Sequence, residues 1–123
     1  MKLHLAELSG QNAFTGYGPG YVAVNAVRHE ASLVVLPDRL ITDWPATGFD
    51  SLAAAHLEPL AELGLEILLL GTGSQIRFPR PEILRPLIEA RIGVEVMDVP
   101  AACRTYNFLM AEDRKVGAAL LLE

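Results

Sequence analysis

The sequence predicts a single three-layer α/β domain over residues 1–123, with a central mixed sheet, helices on one side and β structure on its flank. A length of 123 residues suffices for one core and is short for two domains. Hydrophobic residues make up 51% of the chain, which favours a well-buried core over disorder. Short extended runs fill the N-terminal half, whereas apolar strands alternate with helices in the C-terminal half.

The N-terminal half predicts mostly β structure. Residues 3–5 alternate apolar and polar side chains, which is a weak strand pattern. Residues 11–20 predict a loop because glycines and a proline interrupt them. Residues 21–24 and 27–36 are rich in Val and Leu and predict strands. Asn25 favours a tight turn between these strands, because Asn tolerates a positive φ.

The middle of the chain predicts short elements. Residues 44–47 predict one more short strand. Asp50 predicts the N-cap of a helix at residues 51–55, since its carboxylate can accept hydrogen bonds from the free amides of a first turn. Pro59 predicts a break in this helical stretch, and Gly64 predicts its end.

The C-terminal half predicts an alternation of strands and helices. Its elements are a strand at 66–70, a loop at 71–80, a helix at 81–91, a strand at 94–97, a helix at 100–113 and a strand at 116–122. The right-handed crossover rule predicts that the first two of these strands are parallel neighbours, and it leaves the direction of the last strand open. We expect Pro86 to kink the first turns of its helix or to move the helix start downstream.

Two loops follow the predicted parallel strands, at residues 71–75 and 98–104. Both should emerge at the same carboxyl edge of the sheet, where open α/β sheets bind ligands. Glycines in the first loop would let backbone amides approach an anion, although a structural role as turn glycines is favoured. A nucleotide-binding motif is absent, because Ile76 replaces the third glycine and no Gly-Lys-Ser/Thr sequence occurs.

The candidate ligand-binding residues come from these loops and from the helix that follows the second one. They are Gly71, Thr72, Gly73, Ser74, Gln75, Cys103, Arg104 and Asn107, with Arg77 as a further possible contact for an anion. Asn107 is a poor helix former in the middle of a helix, and if buried it needs hydrogen-bond partners. The backbone of residues 71–75 is the expected partner, and this structural tie is favoured over ligand contact.

Cys103 allows two interpretations. A helix N-terminus and neighbouring Arg104 could lower its pKa and favour a reactive thiolate. A nucleophilic cysteine also needs a base, and His4, His29 and His56 all lie in the N-terminal half without a motif. We therefore favour a small core residue, and the sequence predicts no catalytic residue, no metal site and no cofactor.

Charge and cysteine content limit the partners and the location. The formal charge is -5, with a pI near 5.1, which argues against a general nucleic-acid binder. One cysteine cannot form an internal disulfide, and no signal peptide is apparent, so the expected location is cytoplasmic. The apolar runs are too short for membrane insertion, which takes about 20 residues. Leu122 and Glu123 carry no functional weight at this stage, because such a pair can derive from a vector.

Several sequence motifs together resemble one family. They are Tyr17-Gly18-Pro19-Gly20, residues 21–25, residues 32–37, Trp44-Pro45, Leu70-Gly71-Thr72-Gly73, Val94-Glu95-Val96-Met97-Asp98, Ala102-Cys103-Arg104-Thr105-Tyr106-Asn107 and Glu112-Asp113-Arg114-Lys115-Val116. This set is similar to the Mth-type uncharacterised-domain family over nearly the whole chain. The family includes small bacterial and archaeal proteins, an adipogenesis-associated protein and an assembly factor of mitochondrial respiratory complex I.

The resemblance implies a compact α/β domain with a mixed sheet and no established catalytic activity. The family's motif positions are carried here by Gly71, Thr72, Gly73, Met97, Cys103, Thr105, Tyr106 and Asn107. The chain departs from the usual Asn-Gly turn at Asn25-Ala26, which puts the tightness of that hairpin in question. The role of the organellar member transfers only by analogy.

Two functions follow from these observations. The leading hypothesis is a small, soluble, non-catalytic domain that acts through contact with an unknown protein partner, as in complex assembly. The alternative is a protein that binds a small anionic ligand, or an enzyme of unknown reaction, using the crevice between the 71–75 and 98–104 loops. An open polar crevice would favour the alternative, and a closed one would favour protein contact.

Overall fold

The structure is a computed structural model that describes residues 10–123. The strands in this range are β1 (Phe14–Gly18), β2 (Tyr21–Val24), β3 (Val27–His29), β4 (Leu33–Leu36), β5 (Arg39–Ile41), β6 (Ile67–Gly71), β7 (Gly93–Met97) and β8 (Val116–Leu120). The helices in this range are α1 (Ala54–Leu57), a 3-10 helix (Pro59–Glu62), α2 (Pro81–Glu89) and α3 (Val99–Ala111). The predicted strand at residues 3–5 lies outside the described residues.

A mixed sheet of five strands, in the order β5-β4-β8-β6-β7, forms the centre of the described chain. Strand β6 pairs in parallel with β7 on one side and with β8 on the other, whereas β4 is antiparallel to β8 and to β5. The predicted parallel pairing of the first two C-terminal strands is therefore confirmed. The direction of the last strand, which the sequence left open, is now fixed as parallel to β6.

Apolar side chains alternate between the two faces of this sheet. On β6, Leu68 and Leu70 face one core, whereas Leu69 faces the other. Helices α1 and α2 and the 3-10 helix cover the first core, to which they contribute Leu57 and Leu87. Helix α3 and a three-stranded antiparallel sheet, β1-β2-β3, cover the second core. The predicted three-layer α/β architecture is confirmed.

The structure differs from the prediction in one detail of the layers: α3 lies on the same side as the small β sheet, and not beside the other helices. The chain runs from β6 outward to β7 and then back across β6 to β8. Right-handed connections that run in opposite directions along a sheet place their helices on opposite faces. The order of the strands therefore decides the position of α3, and that order could not be read from the sequence.

Two predictions in the N-terminal half change, and one is confirmed. Residues 11–20 were expected to form a loop, but they contain β1, whose glycines lie opposite β2 in an antiparallel hairpin. The tight turn after β2 is confirmed, with Asn25 at φ 50° and Ala26 at φ 69°. Ala26 thus adopts the left-handed conformation that glycine would favour. The single strand predicted at residues 27–36 is two strands, β3 and β4, which belong to different sheets.

The middle segment also departs from the sequence prediction. Residues 44–47 form no strand. Trp44 is buried, and its Nε1 donates a hydrogen bond to the His56 carbonyl oxygen at 2.9 Å. Asp50 is not an N-cap: α1 begins three residues later than predicted, after Ala53, whose amide donates to His56 Nδ1 at 3.0 Å. Helix α2 begins at Pro81 despite Pro86, so the start is not displaced downstream.

Candidate binding site at the carboxyl edge of the sheet

The loops after β6 and β7 meet at the carboxyl edge, as the sequence predicts, but hydrogen bonds close the crevice between them. The Thr72 amide donates to the Met97 carbonyl oxygen at 2.9 Å, and the Val99 amide donates to the Gly73 carbonyl oxygen at 2.8 Å. Thr72 is buried, and its Oγ1 donates to the Gln75 carbonyl oxygen at 2.7 Å while it accepts from the Arg77 amide at 2.9 Å. These groups satisfy one another and hold the two loops together.

The two glycines of the first loop are required for different structural reasons. Gly71 lies under α3, and a Cβ added there would lie 2.8 Å from Leu120 Cδ2 and 3.2 Å from Val99 Cγ2. Gly73 has a φ of +90°, a conformation that L side chains rarely adopt. Gly71 therefore permits close packing, and Gly73 permits the turn.

The N-terminus of α3 is already occupied by a carboxylate. Asp98 is the N-cap of the helix, and its Oδ1 accepts a hydrogen bond from the Ala101 amide at 2.8 Å. A negative charge is favourable at this position because of the helix dipole. Asp98 thus fills the place that an anionic ligand of this helix end would take.

Cys103 lies in the core and not at an accessible surface. Its side chain is 1% exposed, and burial raises the pKa of the thiol to about 12, against a smaller opposing effect of Arg104. The thiol is therefore protonated at neutral pH, and the core interpretation favoured from the sequence holds over the thiolate one.

Because the Cys103 thiol is buried, we expect the folded protein to lose stability at alkaline pH. The ordinary pKa of this group is 9.0, so above that pH the unfolded chain releases the proton while the folded chain keeps it until about pH 12. The free energy of unfolding should therefore fall by about 1.4 kcal/mol per pH unit above pH 9. Urea denaturation between pH 8 and pH 10 measures this slope. Burial also raises the pKa of Tyr106 from 10.0, so measurements are best kept at or below that value.

A Cys103→Ala variant provides the control for the alkaline loss. The variant lacks the titrating thiol, so its free energy of unfolding should stay nearly constant from pH 8 to pH 10. Equal slopes for the wild type and the variant would show that another group causes the loss.

Asn107 contacts β1 and not the 71–75 loop, so the expected partner was wrong. Its Oδ1 accepts from the Phe14 amide at 2.9 Å, and its Nδ2 donates to the Phe14 carbonyl oxygen at 2.8 Å. On the same helix, the hydroxyl of buried Tyr106 donates to the Asn12 carbonyl oxygen at 2.9 Å. The Phe14 and Tyr106 rings pack edge to face, with centroids 5.2 Å apart. Asn107 and Tyr106 therefore attach α3 to the small sheet.

The predicted ligand-binding set is only partly brought together. Ser74, Gln75 and Arg104 are exposed at the carboxyl edge, whereas Cys103 and Asn107 face inward. The guanidinium of Arg104 donates through Nη1 to the Tyr17 hydroxyl oxygen at 3.0 Å, and this contact raises the pKa of the guanidinium. Ligand binding by the whole set stays a prediction.

A pocket of about 690 Å³ opens beside the closed crevice, at the ends of β6 and β8. Its walls come from the β1–β2 turn, the first loop, the start of α3 and the segment after β8. The lining residues are Tyr17, Gly18, Pro19, Gly20, Gly73, Ser74, Val99, Pro100, Leu121, Leu122 and Glu123. The sequence analysis did not predict most of these lining residues. The β1–β2 turn and the segment after β8 lie near the loops only because of the order of the strands in the fold. Gly18-Pro19-Gly20 was the available sequence signal.

Glu123 forms the polar rim of this pocket. Its Oε1 and Oε2 accept from Arg77 Nη2 at 2.9 and 3.0 Å, and Oε2 also accepts from the Phe49 amide at 2.6 Å. The guanidinium of Arg77 lies over the Phe49 ring, 4.4 Å from its centroid. Asp50 lies 3.9 Å from Arg77 Nη1 and is almost fully exposed. Leu122 and Glu123, which carried no weight in the sequence analysis, thus take part in the site.

Within residues 10–123, no three His, Cys, Asp or Glu side chains converge in a way that could hold a metal ion. No helix in the same range is long and apolar enough to cross a membrane.

Known proteins with similar sequences include an uncharacterised bacterial protein and proteins named as assembly factors. An uncharacterised protein of Rhodobacter capsulatus is 39% identical over 115 residues, covering 92% of this chain and 86% of its own length. The zebrafish (Danio rerio) protein named NADH dehydrogenase [ubiquinone] 1 alpha subcomplex assembly factor 3 is 32% identical over 117 residues, covering 94% of this chain and 67% of its own. The chain spans 55% of the bovine protein of the same name.

Solved structures share the fold. A crystal structure of a Bordetella parapertussis protein superimposes with a TM-score of 0.85 at 42% identity, over 92% of this chain and 97% of that one. A solution structure from Bordetella pertussis, described as a Mth938-like domain, gives a TM-score of 0.77 at 36% identity, over 90% of this chain and 85% of that one. Residues 14–121 match the family described as protein of unknown function (DUF498/DUF598). The resemblance to the Mth-type domain is thus confirmed, and the chain belongs to this family.

Proposed function

We propose that this chain is a non-catalytic domain that acts in the cytoplasm through protein contact during the assembly of a larger complex. The zebrafish relative, an assembly factor by name, supports this role. At the carboxyl edge, Thr72 and backbone groups hold the chain's own loops together, and the Cys103 thiol is buried and protonated. A free thiol also supports a reducing compartment.

The contact surface that we propose consists of Tyr17, Arg104 and Phe108, and we call it the α3 stripe. Tyr17 and Phe108 are 39% and 62% exposed, which is unusual for aromatic side chains. Arg104 donates to the Tyr17 hydroxyl, and Phe108 lies one helical turn beyond Arg104 on the same face of α3. This continuous exposed stripe carries the proposal, because Tyr, Phe and Arg are enriched in protein interfaces.

Photo-crosslinking tests the stripe directly. The chain is produced in its source organism with p-benzoylphenylalanine in place of Phe108, irradiated and analysed by mass spectrometry. We expect one recurrent cross-linked protein, and we expect Tyr17→Ala or Arg104→Ala to reduce its yield about tenfold, as for the loss of an interface hot spot. The same stripe variants should fail to restore the assembled complex in a strain that lacks the gene.

Ile88 provides the matched control position. It is 57% exposed on α2, which covers the opposite face of the sheet from α3. The crosslinker at position 88 should not capture the protein that position 108 captures, and Ile88→Ser should restore assembly as well as the wild type does. If positions 88 and 108 capture the same proteins equally, the α3 stripe is not the contact surface.

A further inference from the structure

Glu123 occupies a carboxylate-binding arrangement at the pocket rim. Three hydrogen bonds reach its carboxylate, two from Arg77 Nη2 and one from the Phe49 amide. Gly48 and Gly73 lie on either side of this group: a Cβ at Gly48 would lie 3.4 Å from Oε2, and a Cβ at Gly73 would lie 3.7 Å from Cδ, both ordinary van der Waals distances. A backbone amide and a guanidinium beside glycines form a suitable site for an anion.

The donors of this arrangement are positioned by contacts other than those with Glu123. The Arg77 amide donates to Oγ1 of buried Thr72, which fixes the backbone of the loop. The Arg77 guanidinium stacks on the Phe49 ring, which orients its nitrogen atoms. The Phe49 carbonyl oxygen accepts from the Leu52 amide at 3.2 Å, which holds the backbone of the second donor. The site would therefore keep its shape if the Glu123 side chain moved away.

The surroundings define which carboxylate could replace that of Glu123. The pocket next to it has apolar walls from Val99, Leu121 and Leu122. The Arg77 and Glu123 side chains are 38% and 37% exposed, and ion pairs this open to solvent contribute little stability. A ligand that combines a carboxylate with an apolar group could therefore displace Glu123 and gain burial in the pocket.

We propose that Arg77 and the Phe49 amide bind an acidic side chain of a partner protein, while an apolar residue beside it enters the pocket. Glu123 is then an internal competitor that the partner displaces. The chain's own Leu122-Glu123 pair joins a buried apolar residue of the pocket wall to a carboxylate on Arg77, and a partner segment of the same composition would match this lining. This inference rests on the proposed function, since it names the chemistry of the partner at a pocket that Tyr17 of the α3 stripe also lines.

Two short peptides serve as probes: N-acetyl-Leu-Leu-Glu amide and its Leu-Leu-Gln counterpart. Each is titrated into the full chain while NMR follows the Phe49 amide, the donor that touches the bound carboxylate. We expect the Glu probe to bind about tenfold more tightly than the Gln probe, because only the former carries the charge. Glu123→Ala should tighten binding of the Glu probe about tenfold by removing the competitor. Arg77→Gln should abolish the difference between the probes.

Glu66→Ala is the matched control for removing an exposed acidic partner of an arginine. Glu66 and Arg114 form a 2.6 Å ion pair whose side chains are about half exposed, at 49% and 47%. This variant should leave both probe affinities unchanged. The inference is overturned if the two probes bind wild type equally, or if Glu123→Ala and Glu66→Ala have the same effect.

The probe and crosslinking experiments can fail separately. Normal probe behaviour with no recurrent cross-linked protein overturns the proposed function and supports the pocket chemistry. A recurrent protein at position 108, with probes that do not respond to Glu123→Ala, supports the α3 stripe and overturns the pocket chemistry.

Discussion

Asn107→Ala is expected to lower the free energy of unfolding by about 3 kcal/mol, because it leaves two backbone groups of β1 without partners. The Asn107 amide both accepts from the Phe14 amide and donates to the Phe14 carbonyl oxygen. Phe14 is buried, so water cannot easily replace these bonds. Urea denaturation at pH 7, compared at equal m-values, measures the loss.

Two other variants at α3 sharpen this prediction. Asn107→Asp keeps an acceptor for the Phe14 amide but places a carboxylate oxygen opposite the Phe14 carbonyl oxygen, so we expect it to be destabilising at pH 7 as well. Phe108→Ala removes an exposed neighbour and should change stability by only about 0.5 kcal/mol. A cost for Asn107→Ala no larger than that of Phe108→Ala would contradict the bridging role.

Asn107 also shows what the sequence could and could not predict. That a mid-helix asparagine needs a structural partner was apparent from its poor helix propensity. The identity of the partner was not apparent, because Phe14 lies 93 residues away. Strand β1 was predicted as a loop because glycines and a proline interrupt residues 11–20. Glycine has a low propensity for strands, but pairing with β2 and attachment to α3 outweigh this low propensity in β1.

The C-terminal half was easier to predict, because its signals are local. Continuous apolar residues in β6 and a proline near the start of α3 are contained in short windows of sequence. The candidate site was predictable in part for the same reason: the two loops do meet at the carboxyl edge. The pocket beside them depends on β8 lying between β4 and β6, which no local pattern encodes.

Gly71→Val is the second variant with a large expected effect, because it adds side-chain volume at the end of β6, where α3 packs on β6 and β8. A Cβ at this position would lie only 2.8 Å from Leu120 Cδ2, 3.2 Å from Val99 Cγ2 and 3.4 Å from Ala102 Cβ. Leu120 and Ala102 are completely buried, so these neighbours have little room to move. We expect the free energy of unfolding to fall by about 3 kcal/mol, as for overpacking in a close-packed core.

Gly16 provides a matched control on β1. A Cβ there would meet only Ala23 Cβ, at 3.8 Å, which is an ordinary contact. Gly16→Val should therefore cost much less than Gly71→Val, since Val is also favoured in strands. Leu120→Ala removes the atom that lies closest to position 71, so the Gly71→Val, Leu120→Ala double variant should be more stable than the sum of the single effects predicts. Additive effects would show that α3, through Val99 and Ala102, makes the glycine necessary, and that Leu120 does not.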